Sequence, residues 1–257
     1  MKLGFASVTS NDEVMPGTYL MWLESPQIVT QAKPGQFVMV RCGEESLLRR
    51  PLSIHQLDGD KLALLFTVVG KGTHWLSQCQ AGDNIDLLGP LGNGYFIHHT
   101  SRNLLLVAGG IGIAPLCFLA REALSQEYSV TLLLGATTAA QLYPRHLLPS
   151  EAKIIIATED GTTGKKGMIT DLLPDFTGWA DQVFVCGPTS MYQAMTAQKQ
   201  HLLKTKPAQI SLEIRMGCGL GVCYGCTVRT KSGLKQVCKD GPVFALEDIL
   251  WDELNCF

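Results

Sequence analysis

The sequence predicts a multidomain protein of β plus α/β class, with an antiparallel β domain, a doubly wound α/β domain and a small cysteine-rich C-terminal segment. Three observations predict it. Short β-type runs punctuated by turn residues fill the first 99 positions, and apolar strands alternate with helix-compatible stretches over 100–207. Glycine and cysteine then dominate 208–257, where little apolar material is available for an independent core.

In the first region the β-type runs include Tyr19 to Leu23, Phe37 to Arg41, Leu52 to Gln56 and Leu62 to Val69. Turn signals such as Met15-Pro16-Gly17, Lys33-Pro34-Gly35, Asp58-Gly59-Asp60 and Ala81-Gly82-Asp83 separate them. Strands at such spacing with little helix between them predict an antiparallel barrel or sandwich, closed by a glycine-rich turn over Gly89 to Gly94. In the second region Leu104 to Ala108, Val130 to Leu134, Ile154 to Ala157 and Gln182 to Val185 have the continuous apolar character of buried parallel strands. Leu116 to Ser125 and Ser190 to Leu203 are the intervening helices. The third region is short enough to need a metal or a neighbour to hold it.

A length of 257 residues favours two or three compact units. With 46% hydrophobic residues, 17% charged residues and a net charge of −2, the composition is that of an ordinary soluble protein. No basic run points to nucleic acid or an anionic membrane surface. The most apolar stretch, Asn103 to Leu119, is broken by Gly109, Gly110, Gly112 and Pro115 and is too short to span a bilayer. The N-terminus lacks a continuous apolar targeting segment, so a cytoplasmic protein is expected.

Nine cysteines are many for a reducing compartment, where clustered thiolates more often hold metal than form disulfides. Cys42, Cys79, Cys117 and Cys186 are scattered, whereas Cys218, Cys223, Cys226 and Cys238 crowd together. Their spacing is Cys-x4-Cys-x2-Cys, then eleven residues, then the fourth Cys. That is the plant-type ferredoxin spacing, with a shorter reach to the last ligand, and it assigns these four residues to a [2Fe–2S] cluster. Gly219, Gly221 and Gly225 let backbone amides turn toward the cluster sulfurs. A structural zinc site would more typically show two Cys-x2-Cys pairs, and only Cys223 and Cys226 form one.

Two segments of the first region suit a flavin. Arg50-Pro51-Leu52-Ser53 sets a guanidinium and a hydroxyl at the start of a strand, where they can reach a phosphate and a ring. Gly70-Lys71-Gly72-Thr73 leads into a short helix over His74 to Ser77 whose amides suit a pyrophosphate. Each segment alone also fits a surface arginine or a capped turn. In the second region the strand Leu104 to Ala108 runs into Gly109-Gly110-Ile111-Gly112-Ile113-Ala114-Pro115. There Gly110 and Gly112 permit a dinucleotide to approach, and Pro115 suits a first helical turn.

Together these segments resemble the ferredoxin reductase family, which pairs a flavin-binding barrel with a nicotinamide-binding domain. The resemblance implies an FAD-binding β-barrel over 1–99, with Arg50, Pro51, Leu52, Ser53, Thr67, Val68, Val69, Gly72 and Thr73 at the FAD. It implies an NAD-binding α/β domain over 100–207, with Gly110, Gly112, Pro115, Glu159, Cys186, Gly187 and Pro188 at the NAD. Cys186-Gly187-Pro188 stands where that family brings a cysteine near the nicotinamide, although a buried strand-end thiol fits Cys186 equally well. Thr158-Glu159-Asp160 carries carboxylates that favour a free ribose hydroxyl over a 2′-phosphate, hence NAD over NADP.

The order of these motifs, ending in Met216-Gly217-Cys218 through Cys238, is similar to one family in particular: the electron-transfer subunits of the NAD-linked, two-subunit dihydroorotate dehydrogenases of pyrimidine biosynthesis. The resemblance implies a partner subunit that holds FMN and oxidises dihydroorotate, two copies of each subunit, and electron flow through the [2Fe–2S] segment over 208–257 and FAD to NAD. No acid, base or nucleophile is then required in this chain, and His55, His98 and His99 are read as surface or packing residues. Flavin subunits of hydrogenases and of NADH-dependent ferredoxin transhydrogenases share the architecture and are the closest alternatives. A free-standing diaphorase would need no partner subunit. A non-enzymatic docking protein with a structural zinc would lack flavin and iron–sulfur colour.

Overall fold

The computed structural model describes residues 2–44, 46–199 and 206–254. Its N-terminal part is a closed antiparallel barrel of β1 (Lys2–Met15), β2 (Thr18–Glu24), β3 (Phe37–Val40), β4 (Arg50–Asp58), β5 (Lys61–Thr67) and β6 (Asn84–Leu91), in the order β1-β2-β5-β4-β3-β6. Closure requires bent strands. Register breaks in β1, in the β3–β6 pair and between Ile54 and Gln56 of β4 supply the bends. Alternate side chains point inward, so Val8, Met21, Val38, Ile54, Leu64 and Ile85 fill the barrel. A single turn of helix, α1 (Pro26–Val29), and the short α2 (Lys71–Ser77) lie on the connections.

The glycine-rich segment expected to be a turn from Gly89 is strand as far as Leu91. Gly89 sits in β6 because a side chain there would meet Val38 Cγ1 at 2.6 Å, so the barrel packs its neighbour where a larger residue would stand.

The second part is a seven-stranded sheet with helices on both faces, in the order β10-β9-β8-β7-β11-β12-β15. Its strands are β7 (Asn103–Gly109), β8 (Ser129–Ala136), β9 (Lys153–Thr158), β10 (Lys165–Lys166), β11 (Gln182–Cys186) and β12 (Ala208–Ser211), all parallel. The helices are α3 (Ile113–Ser125), α4 (Leu173–Thr177) and α5 (Thr189–Lys199). Of the helix expected over Ser190 to Leu203, the last four positions lie outside the described residues.

The sheet does not stop at residue 207. β12 belongs to it, and after the hairpin β13 (Thr227–Thr230) and β14 (Gly233–Gln236) and the turn of helix α6 (Val237–Asp240), β15 (Val243–Ala245) returns antiparallel to β12 as the edge strand. The C-terminal segment lacks the apolar mass for its own core and so completes its neighbour's. Val228, Val237 and Cys238 share one core cluster with Val183, Val185 and Tyr192 of the sheet domain and with Met39 and Leu91 of the barrel.

The barrel and the sheet are joined through α3. One continuous cluster contains Leu104 and Leu106 of β7, Leu116 and Leu119 of α3, and Ala63 and Leu65 of β5, while Phe118 of α3 packs into the barrel core.

Candidate functional site

Three neighbouring arrangements hold the residues singled out by sequence. The first is the cysteine cluster, with Cys218, Cys223 and Cys226 in the loop between β12 and β13 and Cys238 in α6. Cys226 and Cys238 are buried, Cys218 is half-buried and Cys223 is exposed. The thiols gather as two pairs, Cys218 with Cys223 and Cys226 with Cys238. Among the described residues no three His, Cys, Asp or Glu side chains are grouped to hold a single metal ion. Backbone amides face the sulfurs: Leu220 N–H donates to Cys218 Sγ at 3.3 Å, Gly221 N–H to Cys238 Sγ at 3.1 Å and Cys238 N–H to Cys226 Sγ at 3.4 Å. The Gly221 bond links the two pairs.

Burial pushes the Cys218 thiol up, but the amides of Leu220, Val222 and Cys223 and the Cys223 thiol outweigh it and bring Cys218 down to about 6. Burial and the adjacent Cys226 push Cys238 up to about 12. Four thiols in two pairs, with amide dipoles already aimed at sulfur, fit a group that takes two thiolates on each of two irons. Gly219 is needed in the loop: its φ is +72°, and a Cβ would meet Met39 Cγ at 2.6 Å, so the loop lies directly on the barrel. Leu220, Val222 and Tyr224 stand around the loop with 42%, 69% and 70% of their surface exposed, an apolar rim to a site open on one side.

The second arrangement is on the barrel. Arg50, at the start of β4, runs beside the first turn of α2, where a Cβ on Gly72 would lie 3.1 Å from its Nε. Its Nη1 donates to the Leu48 carbonyl at 2.6 Å. The preceding Arg49 is committed elsewhere, in a two-pronged pair with Asp86 at 2.6 and 3.0 Å. Arg50 makes no ion pair among the described residues. The structure thus brings Arg50 and Gly72-Thr73 together. It also shows that the amides before α2 are partly taken, because the buried Thr73 hydroxyl accepts from Val69 N–H at 2.9 Å and Gly70 N–H at 3.2 Å. Pro51, Leu52 and Ser53 are half-buried along β4. Thr67 pairs with the Thr18 hydroxyl at 3.0 Å, Val68 N–H donates to Gly17 at 2.8 Å, and Val69 is exposed.

The third arrangement is a cavity of about 360 Å³ at the C-terminal ends of β7, β8, β9 and β11, the end at which open parallel sheets bind ligands. Gly110, Glu159, Gly187 and Pro188 line it. Glu159 sits at its edge and accepts a hydrogen bond from the Thr137 hydroxyl at 3.2 Å. Gly112, Pro115 and Cys186 do not line it. Gly112 is packed against the Cys186 carbonyl, which a Cβ would overlap, so its role is to let α3 start hard against the end of β11. Pro115 is buried in the first turn of α3, and Cys186 is wholly buried beneath Gly187.

The comparisons with known proteins bear on the family and the fold. The family model for the iron–sulfur cluster binding domain of dihydroorotate dehydrogenase B matches residues 213–250. An electron transfer subunit of dihydroorotate dehydrogenase B (NAD(+)) from Desulforamulus reducens is 41% identical over 250 residues, covering 93% of this chain and 95% of that one. The chain belongs to this family of electron-transfer subunits. A second member, from Caldanaerobacter subterraneus subsp. tengcongensis, is 36% identical, with 96% of this chain and 98% of that one covered. A solved structure of NADH-dependent reduced ferredoxin-NADP oxidoreductase superposes with a TM-score of 0.88 at 32% identity, covering 98% and 91% of the two chains. The ferredoxin reductase of carbazole 1,9a-dioxygenase shares the fold, with a TM-score of 0.68 at 19% identity over 79% and 65% of the chains.

In this electron-transfer subunit the structure adds residues that no motif marks. Glu213 lines the same cavity, and its Oε1 lies 3.7 Å from Cys186 Sγ. Although Glu213 keeps solvent contact, the depth of the cleft lifts its carboxyl above the ordinary carboxylate range. Burial, then the Glu213 carboxylate, push the Cys186 thiol well up, so it is held as a neutral thiol. Tyr192, also buried, donates to the Ser211 carbonyl at 2.6 Å and accepts from Gly187 N–H at 3.0 Å, fixing the cavity floor. A lone glutamate preceding the cysteine loop gives no sequence signal. Only the return of β12 beside β11 makes it a neighbour of Cys186. No helix among the described residues is long and apolar enough to cross a membrane.

Proposed function

We propose that this subunit takes electrons from a partner subunit that holds FMN and oxidises dihydroorotate, and delivers them to NAD in pyrimidine biosynthesis, as one of two copies of each subunit in a cytoplasmic assembly. A [2Fe–2S] cluster exchanges single electrons, a nicotinamide exchanges a hydride, and FAD exchanges both, which places the FAD between the other two. Cys218, Cys223, Cys226 and Cys238 hold the cluster. Arg50 and Ser53, with Pro51, Leu52, Thr67, Val68, Val69, Gly72 and Thr73, hold the FAD, and the cavity at Gly110, Glu159, Gly187 and Pro188 takes NAD. Gly112, Pro115 and Cys186 act there from behind, by setting the height of the cavity floor.

The observation that carries the reading is the pairing of thiols with inward-facing amides beneath an apolar rim. Leu220, Val222 and Tyr224 surround the most exposed ligand, Cys223, as a docking face for a one-electron partner would require. The NADH-dependent reduced ferredoxin-NADP oxidoreductase covers 98% of the chain too, so the architecture is shared by a second reading. The 41% identity across nearly the whole chain and the cluster-domain family model favour the dihydroorotate-oxidising partner.

Affinity purification of the chain from its host tests this, with the partner's flavin and substrate identified. A dihydroorotate-oxidising flavoprotein in the complex is the expected result, and a hydrogenase or a large transhydrogenase subunit in its place overturns it. Cys223→Ser should abolish dihydroorotate-dependent NAD reduction while sparing NADH oxidation by small acceptors.

A further inference from the structure

His55 is completely buried, and it is the extra residue of the break in β4: Ile54 pairs with Leu64 and Gln56 with Ala63, leaving His55 without a partner on β5. An unpaired bulge residue is free to aim its side chain away from its strand. Here the imidazole leaves the barrel and enters the α/β domain. Nδ1 lies 2.9 Å from the Ala114 carbonyl and Nε2 lies 2.8 Å from the Tyr143 hydroxyl, with the two rings edge-to-face at 5.2 Å.

A carbonyl can only accept, so Nδ1 carries the proton and Nε2 accepts from the tyrosine. Burial holds the imidazole neutral, with its pKa down at about 4, and keeps the Tyr143 phenol protonated. Every group in the triad is therefore satisfied.

The three anchors stand close to the two candidate cofactor sites. His55 is two residues after Ser53 on β4. Ala114 lies between Gly112 and Pro115, in the turn that carries the cavity-lining Gly110. Tyr143 is two residues beyond Gln141, which lines the same cavity. Apolar packing through α3 joins the domains but allows sliding, whereas two directional hydrogen bonds at one buried imidazole fix a distance.

We propose that His55 is a positioning residue, which ties the flavin-facing strand of the barrel to two of the segments that line the nicotinamide cavity and so sets the separation across which hydride passes. The inference rests on the FAD and NAD sites proposed above. A misplacement of about 1 Å between reacting groups costs on the order of a hundredfold in rate.

The experiment uses the FAD-loaded chain. In stopped flow, His55→Phe should retain FAD and bind NADH, yet reduce its flavin at least tenfold more slowly, and Tyr143→Phe, which keeps the Nδ1 bond, should fall between it and the parent. Photochemical reduction of the same flavin should be unchanged, which separates loss of positioning from loss of flavin chemistry. Independently of activity, the ¹⁵N-histidine spectrum of the unmutated holo chain should show one imidazole protonated at Nδ1 that does not titrate between pH 5.5 and 8, and that changes on Tyr143→Phe. An imidazole protonated at Nε2, or one titrating near 6.5, overturns the proposal, as does parent-like flavin reduction in both variants. If the unmutated chain fails to oxidise NADH while the Nδ1 tautomer is present, the cofactor reading fails and the tie between domains stands.

Discussion

Substituting Gly112 by alanine puts the packing of the turn between β7 and α3 to a direct test. The added Cβ would overlap the carbonyl oxygen and carbon of Cys186 and come within 2.8 Å of Gly187 N. All three are backbone atoms, so no rotamer change relieves the clash. The first turn of α3 and the end of β11 must separate, and overpacking of this kind costs about 1–3 kcal/mol. A displacement of about 1 Å carries Gly110 away from Gly187 and Pro188 and should lower kcat/KM for NADH about a hundredfold. Gly110→Ala is the matched control. Its φ is +54° and nothing lies within 4 Å of a Cβ, so it pays only the left-handed backbone penalty of about 1–2 kcal/mol. It should raise KM more than it lowers kcat. The assay is NADH oxidation with a small one-electron acceptor at measured FAD content. If Gly112→Ala keeps the parent kcat/KM, or loses activity only in proportion to lost FAD, the reasoning is refuted.

The adjacent arginines should separate cleanly. Arg49→Ala, which breaks a partly exposed pair with Asp86, should cost about 1 kcal/mol in urea unfolding and leave FAD content intact, while Arg50→Ala should weaken FAD retention at least tenfold without lowering the stability of the FAD-free chain. Glu159→Gln should raise the NADPH-to-NADH ratio of kcat/KM by about tenfold, because a carboxylate that repels a 2′-phosphate is gone while the Thr137 hydroxyl keeps an acceptor; an unchanged ratio would place the adenosine elsewhere. His55, whose pKa burial lowers from 6.5 to about 4, binds more protons unfolded than folded between those values. Its contribution is therefore full above pH 6.5 and lost as pH falls toward 4, by about 3 kcal/mol. Urea midpoints taken from pH 8 down to 4 should fall more steeply in the parent than in His55→Gln, and parallel curves would contradict the burial.

Local chemistry was legible in the sequence and long-range assembly was not. The cysteines could be grouped because three of them fall within one loop and the fourth follows after one short hairpin, and the parallel strands because a strand buried on both faces must be apolar throughout. β1 escaped detection because Lys2-Leu3-Gly4-Phe5 and Ser10-Asn11-Asp12-Glu13 form no apolar run; it is held by pairing with β2 and β6, so tertiary context decides. Glu213 and His55 escaped for the same reason. One acquires its neighbours from strand order, the other from a break in pairing, and neither property exists before the sheets do.

The strands that the C-terminal segment lends to the α/β sheet have a consequence for anyone dividing the chain. A version truncated at residue 207 would leave β11 with a bare row of peptide groups along Val183 to Cys186, an apolar edge of the kind that recruits a second copy of itself. A working minimal flavoprotein from this chain must therefore keep β12 and β15 and shorten only what lies between them. The electron relay can in this sense be excised as a loop, but not amputated as a tail.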